Sequence, residues 1–279
     1  MTSSALITFI SASRAPEDLF TSCSPLGLSL DRLRSIKICR PTSETELDVV
    51  YRGVVEFQNS RGLPEVFNAA IEARLTAGSL LRGEQTRDEI LVFVHDDVWL
   101  DDAQIGEHLL SGLDQFDVIG LAGSVGQVAG QLSWFAFNSG SEILDHAMSG
   151  MICRGNDPCG EISYFGPWKQ SCELLDGVFL AVRLNTIANT GLRFDSRFDV
   201  HFYDVDFCRT ARSLGLRLGT WPIAVTHQSG SSFDDEWRSS HAEYLAKGGI
   251  DSVHSLKLSN PIVARALPGH HRHPQPLLG

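Results

Sequence analysis

The stretch "LVFVHDDVWLDD", residues 91–102, runs four apolar residues typical of a buried strand straight into His95, Asp96 and Asp97. Carboxylates delivered by such a strand are costly unless paired, hydrogen-bonded or bound to a cation. The triplet therefore marks either the protein surface or a site. Three further places put candidate residues within or at the ends of regular elements. Asp176 and Gly177 sit inside the apolar run "LLDGVFLAVR", Asp204 opens the helical pattern "DVDFCRTARSLG", and His227 closes "LRLGTWPIAVTH". Aspartate at a helix start also serves as an N-cap, and a histidine at a strand end is often structural, so each needs a frame before it has a role.

Alternating elements supply that frame. "ALITFISAS", "SIKICRP" and "ELDVVYR" read as strands, with Leu26, Leu30 and Leu33 at helical spacing between the first two. In "LPEVFNAAIEARLTAG", residues Leu63, Val66, Phe67, Ala70, Ile71 and Leu75 predict a helix with Gly78 as its stop. "EILVFVHDD" is then a fourth strand. Such alternation predicts an α/β fold with a mostly parallel central sheet flanked by helices. Ligands of open sheets bind beyond the carboxyl ends of the strands, where the triplet stands. "DDAQIGEHLLSGLDQF" follows as a helix with cap candidates Asp101 and Asp102 and an apolar face of Ile105, Leu109, Leu110, Leu113 and Phe116. "DVIGLAGSVG" is a fifth strand. Residues 127–172 have no steady period and read as a variable, partly loop-like segment beside the site. Beyond them come a strand "LLDGVFLAVR", a short helix "LNTIANTG" ending at Gly191, and a helix from Asp204 to Gly215 with Phe207, Cys208, Ala211 and Leu214 inside. The strand "LRLGTWPIAVTH" completes the series.

Composition excludes several classes. The 279 residues are 43% hydrophobic and 20% charged, with 25 Gly and 11 Pro, as expected of a globular chain rather than a disordered or collagen-like one. A formal charge of -11 argues against a nucleic-acid partner, because duplex binding relies on many Lys and Arg contacts to phosphate. No run reaches the roughly 20 apolar residues of a membrane span, and "MTSSALITFISASRAPE" reads as a first strand, not as a signal peptide. A cytoplasmic location is expected, at most peripheral to the inner membrane. Six scattered cysteines without a CxxC pair predict free thiols.

The ordered set of motifs resembles the family-2-like glycosyltransferases of the GT-A fold. The parts are "ALITFISAS", "NSRGLPEVFN" with Asn59 and Gly62, "VFVHDDV", "LDGVFLAVR", "RFDSRFDVHFYDVDFC" and "VTHQSG", and they cover roughly residues 5 to 233. The resemblance implies a single catalytic domain over 1–236, with a nucleotide-binding half (1–126) and an acceptor-binding half (127–236). Residues 237–279 would form a C-terminal extension with a disordered end.

Transfer of a single sugar from a nucleotide diphosphate sugar to an acceptor hydroxyl, with inversion, is the activity the resemblance implies. UDP is the favoured nucleotide. A glycan, lipid-linked or protein-linked acceptor is expected, in a setting such as bacterial surface glycan or glycoconjugate assembly, and the oligomeric state is open. Mn²⁺ or Mg²⁺ would assist the leaving diphosphate. On this reading Asp97 is the main metal ligand, His95 and His227 are further ligands, and Asp96 faces the nucleotide ribose. Arg14 lies where the nucleotide base binds, Asp176 and Gly177 contact donor and acceptor, and Asp204 is the base, with Asp206 as fallback. Trp134 and Trp168 could stack on a sugar or simply pack. The chain departs from the family pattern at two positions: His95 stands where the triplet usually begins with Asp, and Tyr203 stands where Glu usually precedes the base. Two alternatives remain: a sugar-nucleotide nucleotidyltransferase, disfavoured because "ISASRAPEDLF" is no Gly-rich phosphate loop, and a catalytically inactive nucleotide-sugar-binding relative.

Overall fold

The computed structural model describes residues 4–35, 48–80, 88–126, 133–134, 147–228 and 235–248. The chain begins with β1 (Ser4–Ala12), the helices α1 (Glu17–Cys23) and α2 (Pro25–Ser35), β2 (Asp48–Glu56) and α3 (Leu63–Leu80). β3 (Asp88–Val94), β4 (Val98–Leu100), α4 (Ile105–Gln115), β5 (Val118–Gly120) and β6 (Ala122–Ser124) follow. Next come β7 (Met148–Arg154), β8 (Glu161–Gly166), β9 (Ser171–Cys172), β10 (Leu174–Leu175) and β11 (Phe179–Arg183). The series closes with α5 (Leu184–Thr190), α6 (Tyr203–Ser213), β12 (Leu218–Thr220), β13 (Val225–His227) and α7 (Asp235–Gly248).

Two sheets share this chain. The larger has seven strands in the order β2-β1-β3-β11-β5-β12-β9; β1 pairs in parallel with β2 and β3, and β5 with β12, while β11 and β9 run antiparallel to their neighbours. The smaller follows the order β10-β6-β7-β13-β4, with β8 on β7. β1 and β3 are central because their apolar residues are continuous rather than alternating, and Ile7, Phe9, Ile10, Leu91, Val92 and Phe93 are all buried. Among the described residues no helix is long and apolar enough to cross a membrane.

Several expected strands are each two strands. "DVIGLAGSVG" divides at Leu121 into β5 and β6, "LLDGVFLAVR" divides at residues 176–178 into β10 and β11, and "LRLGTWPIAVTH" divides at residues 221–224 into β12 and β13. In each case one half belongs to the large sheet and the other to the small one. The triplet His95-Asp96-Asp97 is a fourth such crossover, joining β3 to β4. Where the crossing residues are themselves apolar, as at Leu121 and residues 221–224, hydrophobicity does not record the change of partner.

Other expectations meet differences. The expected strand 35–41 lies outside the described residues apart from Ser35, which ends α2. The irregular segment 127–172 contains the β7–β8 hairpin and β9. α3 continues two residues past Gly78. α4 starts at Ile105 without a side-chain cap: Asp102 instead accepts the Gln104 N–H and pairs with His108, and Asp101 accepts the Thr226 hydroxyl. Phe207, Cys208 and Ala211 face inward from α6 as expected, whereas Leu214 is exposed. The described cysteines, Cys23, Cys153, Cys159, Cys172 and Cys208, are free.

α7 spans the expected boundary at 236 and packs on the domain. Its Trp237, His241 and Tyr244 gather around Phe202, with the rings of His241 and Tyr244 stacked on it at 5.6 and 5.1 Å. Lys247 Nζ lies 2.6 Å from both Asp195 Oδ2 and Asp206 Oδ1. The end of the extension, from 249 onward, lies outside the described residues.

Candidate active site

The crossovers converge on one open cleft of about 1010 Å³. Arg14, His95, Asp96, Asp97, Asp176, Gly177, Asp204 and His227 all line it. Pairing explains their convergence. β11 runs antiparallel to β3, so its start at Phe179 meets Val94 and the preceding turn lies beside the triplet; there the His95 N–H donates to the Val178 carbonyl at 3.2 Å. β13 runs antiparallel to β4 and opposes His227 to Val98, so the Gln228 N–H reaches the Asp97 carbonyl at 3.1 Å.

At this junction, one ligand atom from each of His95, Asp97 and His227 lies within 4.8 Å of the others. His227 Nε2 is 3.2 Å from Asp97 Oδ1. Metal–ligand bonds of about 2.0–2.2 Å need donor atoms little more than about 4 Å apart, so small side-chain adjustments would let this set hold a divalent cation. Two imidazoles with one carboxylate suit Mn²⁺ and other transition ions better than Mg²⁺, which prefers an all-oxygen sphere. Burial, and then the neighbouring His227, lower the pKa of His95 and favour its neutral, ligating form.

Asp204 is the second residue of α6. Its Oδ1 accepts the Val205 N–H at 2.8 Å and its Oδ2 the Gly177 N–H at 3.1 Å. Both bonds, like the helix N-terminus, favour the carboxylate. Burial and then the nearby Asp176 outweigh them and push the pKa up to about 7. Gly177 makes this approach possible, because a Cβ there would come within 2.5 Å of Tyr203 Oη and 2.7 Å of Asp204 Cβ. Asp176 shapes the same turn by accepting the Val178 N–H at 2.9 Å. Phe202, just before α6, has φ 65, a conformation unfavourable for a bulky side chain; the α7 rings packed around it hold it there.

The Asn59 turn also lines the cleft. Asn59 Oδ1 accepts the Arg61 N–H at 3.0 Å, and the Leu63 N–H donates to the Asp199 carbonyl at 2.9 Å. At Gly62 a Cβ would meet Asp199 Oδ1 at 2.5 Å, so the acidic segment 195–204 packs directly on this turn.

The fallback base Asp206 does not line the cleft: it is buried against Lys247. Trp134 lines the cleft but is buried edge-on against Phe165, whereas Trp168 lies outside it beside Tyr164. Arg14 is exposed at the cleft edge. Sequence reasoning did not single out Arg154 or Trp237, which also line the cleft. Arg154 ends β7 opposite His227, a pairing invisible without the sheet register. Trp237 lies beyond the last of the motifs, and nothing local in the sequence ties it to the site.

No protein-family model matches the chain, and no curated protein matches it. Among solved structures, TarS of S. aureus aligns over 81% of this chain and 37% of its own, at 11% identity and a TM-score of 0.39. This chain thus spans little more than a third of that one. TarS 1-349 in complex with UDP aligns over 82% of this chain and 61% of its own, at 13% identity and a TM-score of 0.36. A197 from STIV aligns over 82% and 97%, at 10% identity and a TM-score of 0.36. Likenesses this distant leave the reading of the site to its own geometry.

Proposed function

We propose that the cleft transfers a single sugar, with inversion, from a nucleotide diphosphate sugar to an acceptor hydroxyl. The observation that carries this reading is one cleft holding two kinds of group: a cluster fit for a divalent cation (His95, Asp97 and His227) and a carboxylate raised to the pKa of a neutral-pH base (Asp204). The pair suits inverting glycosyl transfer, in which charge builds on the departing diphosphate while the attacking hydroxyl loses a proton.

Asp97, His95 and His227 are the proposed holders of Mn²⁺, with Mg²⁺ the weaker fit. A cation bound there would neutralise the developing charge of the diphosphate. Asp204 takes the acceptor proton. A base with a pKa near the working pH contributes about a hundred- to ten-thousandfold. Gly177 lets Asp204 approach closely, and Asp176 keeps its basicity high. Arg14 and Asp96 are the proposed contacts to the nucleoside, with UDP favoured by the sequence resemblance. A glycan, lipid-linked or protein-linked compound is the proposed acceptor.

Thermal unfolding of the wild type and Asp97→Ala tests this reading, using a panel of nucleoside diphosphates with and without Mn²⁺. A ligand at a hundred times its Kd adds about 2.7 kcal/mol, which raises Tm by several degrees in a chain of this size. A shift that requires both nucleotide and Mn²⁺ and disappears in Asp97→Ala is expected. No shift with any nucleotide would sink the donor site. Donor binding without turnover on any acceptor would favour the inactive relative.

A further inference from the structure

The two positions at which the chain departs from the resembled pattern touch each other. Tyr203 Oη lies 2.9 Å from His95 Nε2, across 108 residues of sequence, and 2.8 Å from the Gly177 carbonyl oxygen. A phenol has one proton to donate, and a carbonyl oxygen only accepts. Both contacts are hydrogen bonds only if Tyr203 donates to Gly177 and accepts from His95. The proton of a neutral His95 then sits on Nε2, and Nδ1 keeps its lone pair.

We infer that Tyr203 is a positioning residue: it fixes the tautomer of His95, so that Nδ1 is the nitrogen offered to a cation shared with Asp97 and His227. This inference rests on the metal reading above. Histidine ligands commonly donate their second ring N–H to an oxygen, which orients the ring and raises its basicity. Here the oxygen is a phenol, and Tyr203 is only 2% exposed. Its chain of two hydrogen bonds ends at the backbone of Gly177, whose N–H is bonded to Asp204. The same glycine thus orients the proposed ligand through its carbonyl and the proposed base through its amide. Histidine at 95 and tyrosine at 203 work as a pair: a carboxylate at 95 would accept but not donate, and a carboxylate at 203 would not donate to the Gly177 carbonyl when ionised.

The test uses the metal-free full chain labelled with ¹⁵N-histidine, with the His95 signals identified by their loss in His95→Ala. Long-range ¹H–¹⁵N spectra of the wild type are expected to show His95 protonated on Nε2 alone, and those of Tyr203→Phe a mixture of tautomers. Mn²⁺ affinity, measured by calorimetry, is expected to fall about 10- to 100-fold in Tyr203→Phe. Tyr203→Phe should add little in a His95→Ala background, because the two act through one group. A wild-type His95 protonated on Nδ1 would overturn the inference, even if Tyr203→Phe failed to fold. So would an unchanged tautomer in Tyr203→Phe. Unchanged Mn²⁺ affinity in both single variants would remove His95 from the ligand set. Mn²⁺ binding that is lost in Asp97→Ala would then show that the cation site itself survives.

Discussion

The Asp204 carboxylate accepts the Gly177 backbone N–H at 3.1 Å, fastening the start of α6 to the turn that precedes β11. This contact keeps the proposed base at the crossover between the two sheets, where burial and Asp176 hold its pKa at about 7. A base acts only when deprotonated, so kcat/KM for transfer should rise tenfold per pH unit below about 7 and level off above it. Asp204→Asn should bind donor normally and lose about a hundred- to ten-thousandfold in turnover. A flat profile between pH 5 and 9, or full activity in Asp204→Asn, would exclude Asp204 as the base.

The same pKa makes stability depend on pH. Asp204 titrates near 3.9 in the unfolded chain and at about 7 in the folded one, so between these values the folded state binds the extra proton. The contribution of Asp204 is therefore fully present below about pH 4 and lost as pH rises through about 7. Urea unfolding at pH 5 and pH 8 should show the wild type losing on the order of 2 kcal/mol more than Asp204→Asn. Equal losses would mean that the carboxylate is not held in its acid form.

His227 Nε2 lies 3.2 Å from Asp97 Oδ1, and both are proposed ligands. His227→Ala should weaken Mn²⁺ binding by at least about tenfold. His227→Asp should narrow the preference for Mn²⁺ over Mg²⁺, because it replaces a nitrogen with the oxygen that Mg²⁺ favours. Calorimetric titration with each ion decides this, and an unchanged Mn²⁺ affinity in His227→Ala would remove His227 from the set.

Gly177→Ala places a methyl group within 2.5 Å of Tyr203 Oη and 2.7 Å of Asp204 Cβ. Overpacking of this kind costs about 1–3 kcal/mol, and here the residues pushed aside are the proposed base and the partner of His95. Turnover should fall more than the loss of stability explains. Wild-type kcat in a folded Gly177→Ala protein would show that the close approach is unimportant.

Tyr244 on α7 is 2% exposed and stacks on Phe202, while its hydroxyl has no hydrogen-bond partner among the described residues. Tyr244→Phe should therefore be neutral or slightly stabilising, since it removes an unsatisfied polar atom. Tyr244→Ala should cost about 3–5 kcal/mol and lower activity by freeing Phe202. If both variants cost the same, the hydroxyl rather than the ring holds α7 in place.

Much of the local structure was readable. The spacing of Leu63, Val66, Phe67, Ala70 and Ile71 marked α3, and the apolar run from Ile90 to Val94 marked β3, because burial on one helix face or in a central strand leaves its own period. The β7–β8 hairpin was not readable. Gly150, Gly155 and Gly160 interrupt its pattern, and the exposed Ile162 and Tyr164 blur its inward face. The packing of α7 was not readable either, because its aromatic residues acquire meaning only against Phe202.

By itself the sequence determined which side chains end up at element termini: His95 and Asp97 after β3, Asp204 at the start of α6 and His227 at the end of β13. Local hydrophobic pattern and turn chemistry suffice for that. Only the tertiary structure decided that these termini meet, because their meeting depends on where the chain passes from one sheet to the other. It also decided the state of each group. The pKa of Asp204 and the hydrogen bond between Tyr203 and His95 arise from burial and from partners 27 to 108 residues away, and no local pattern carries that information.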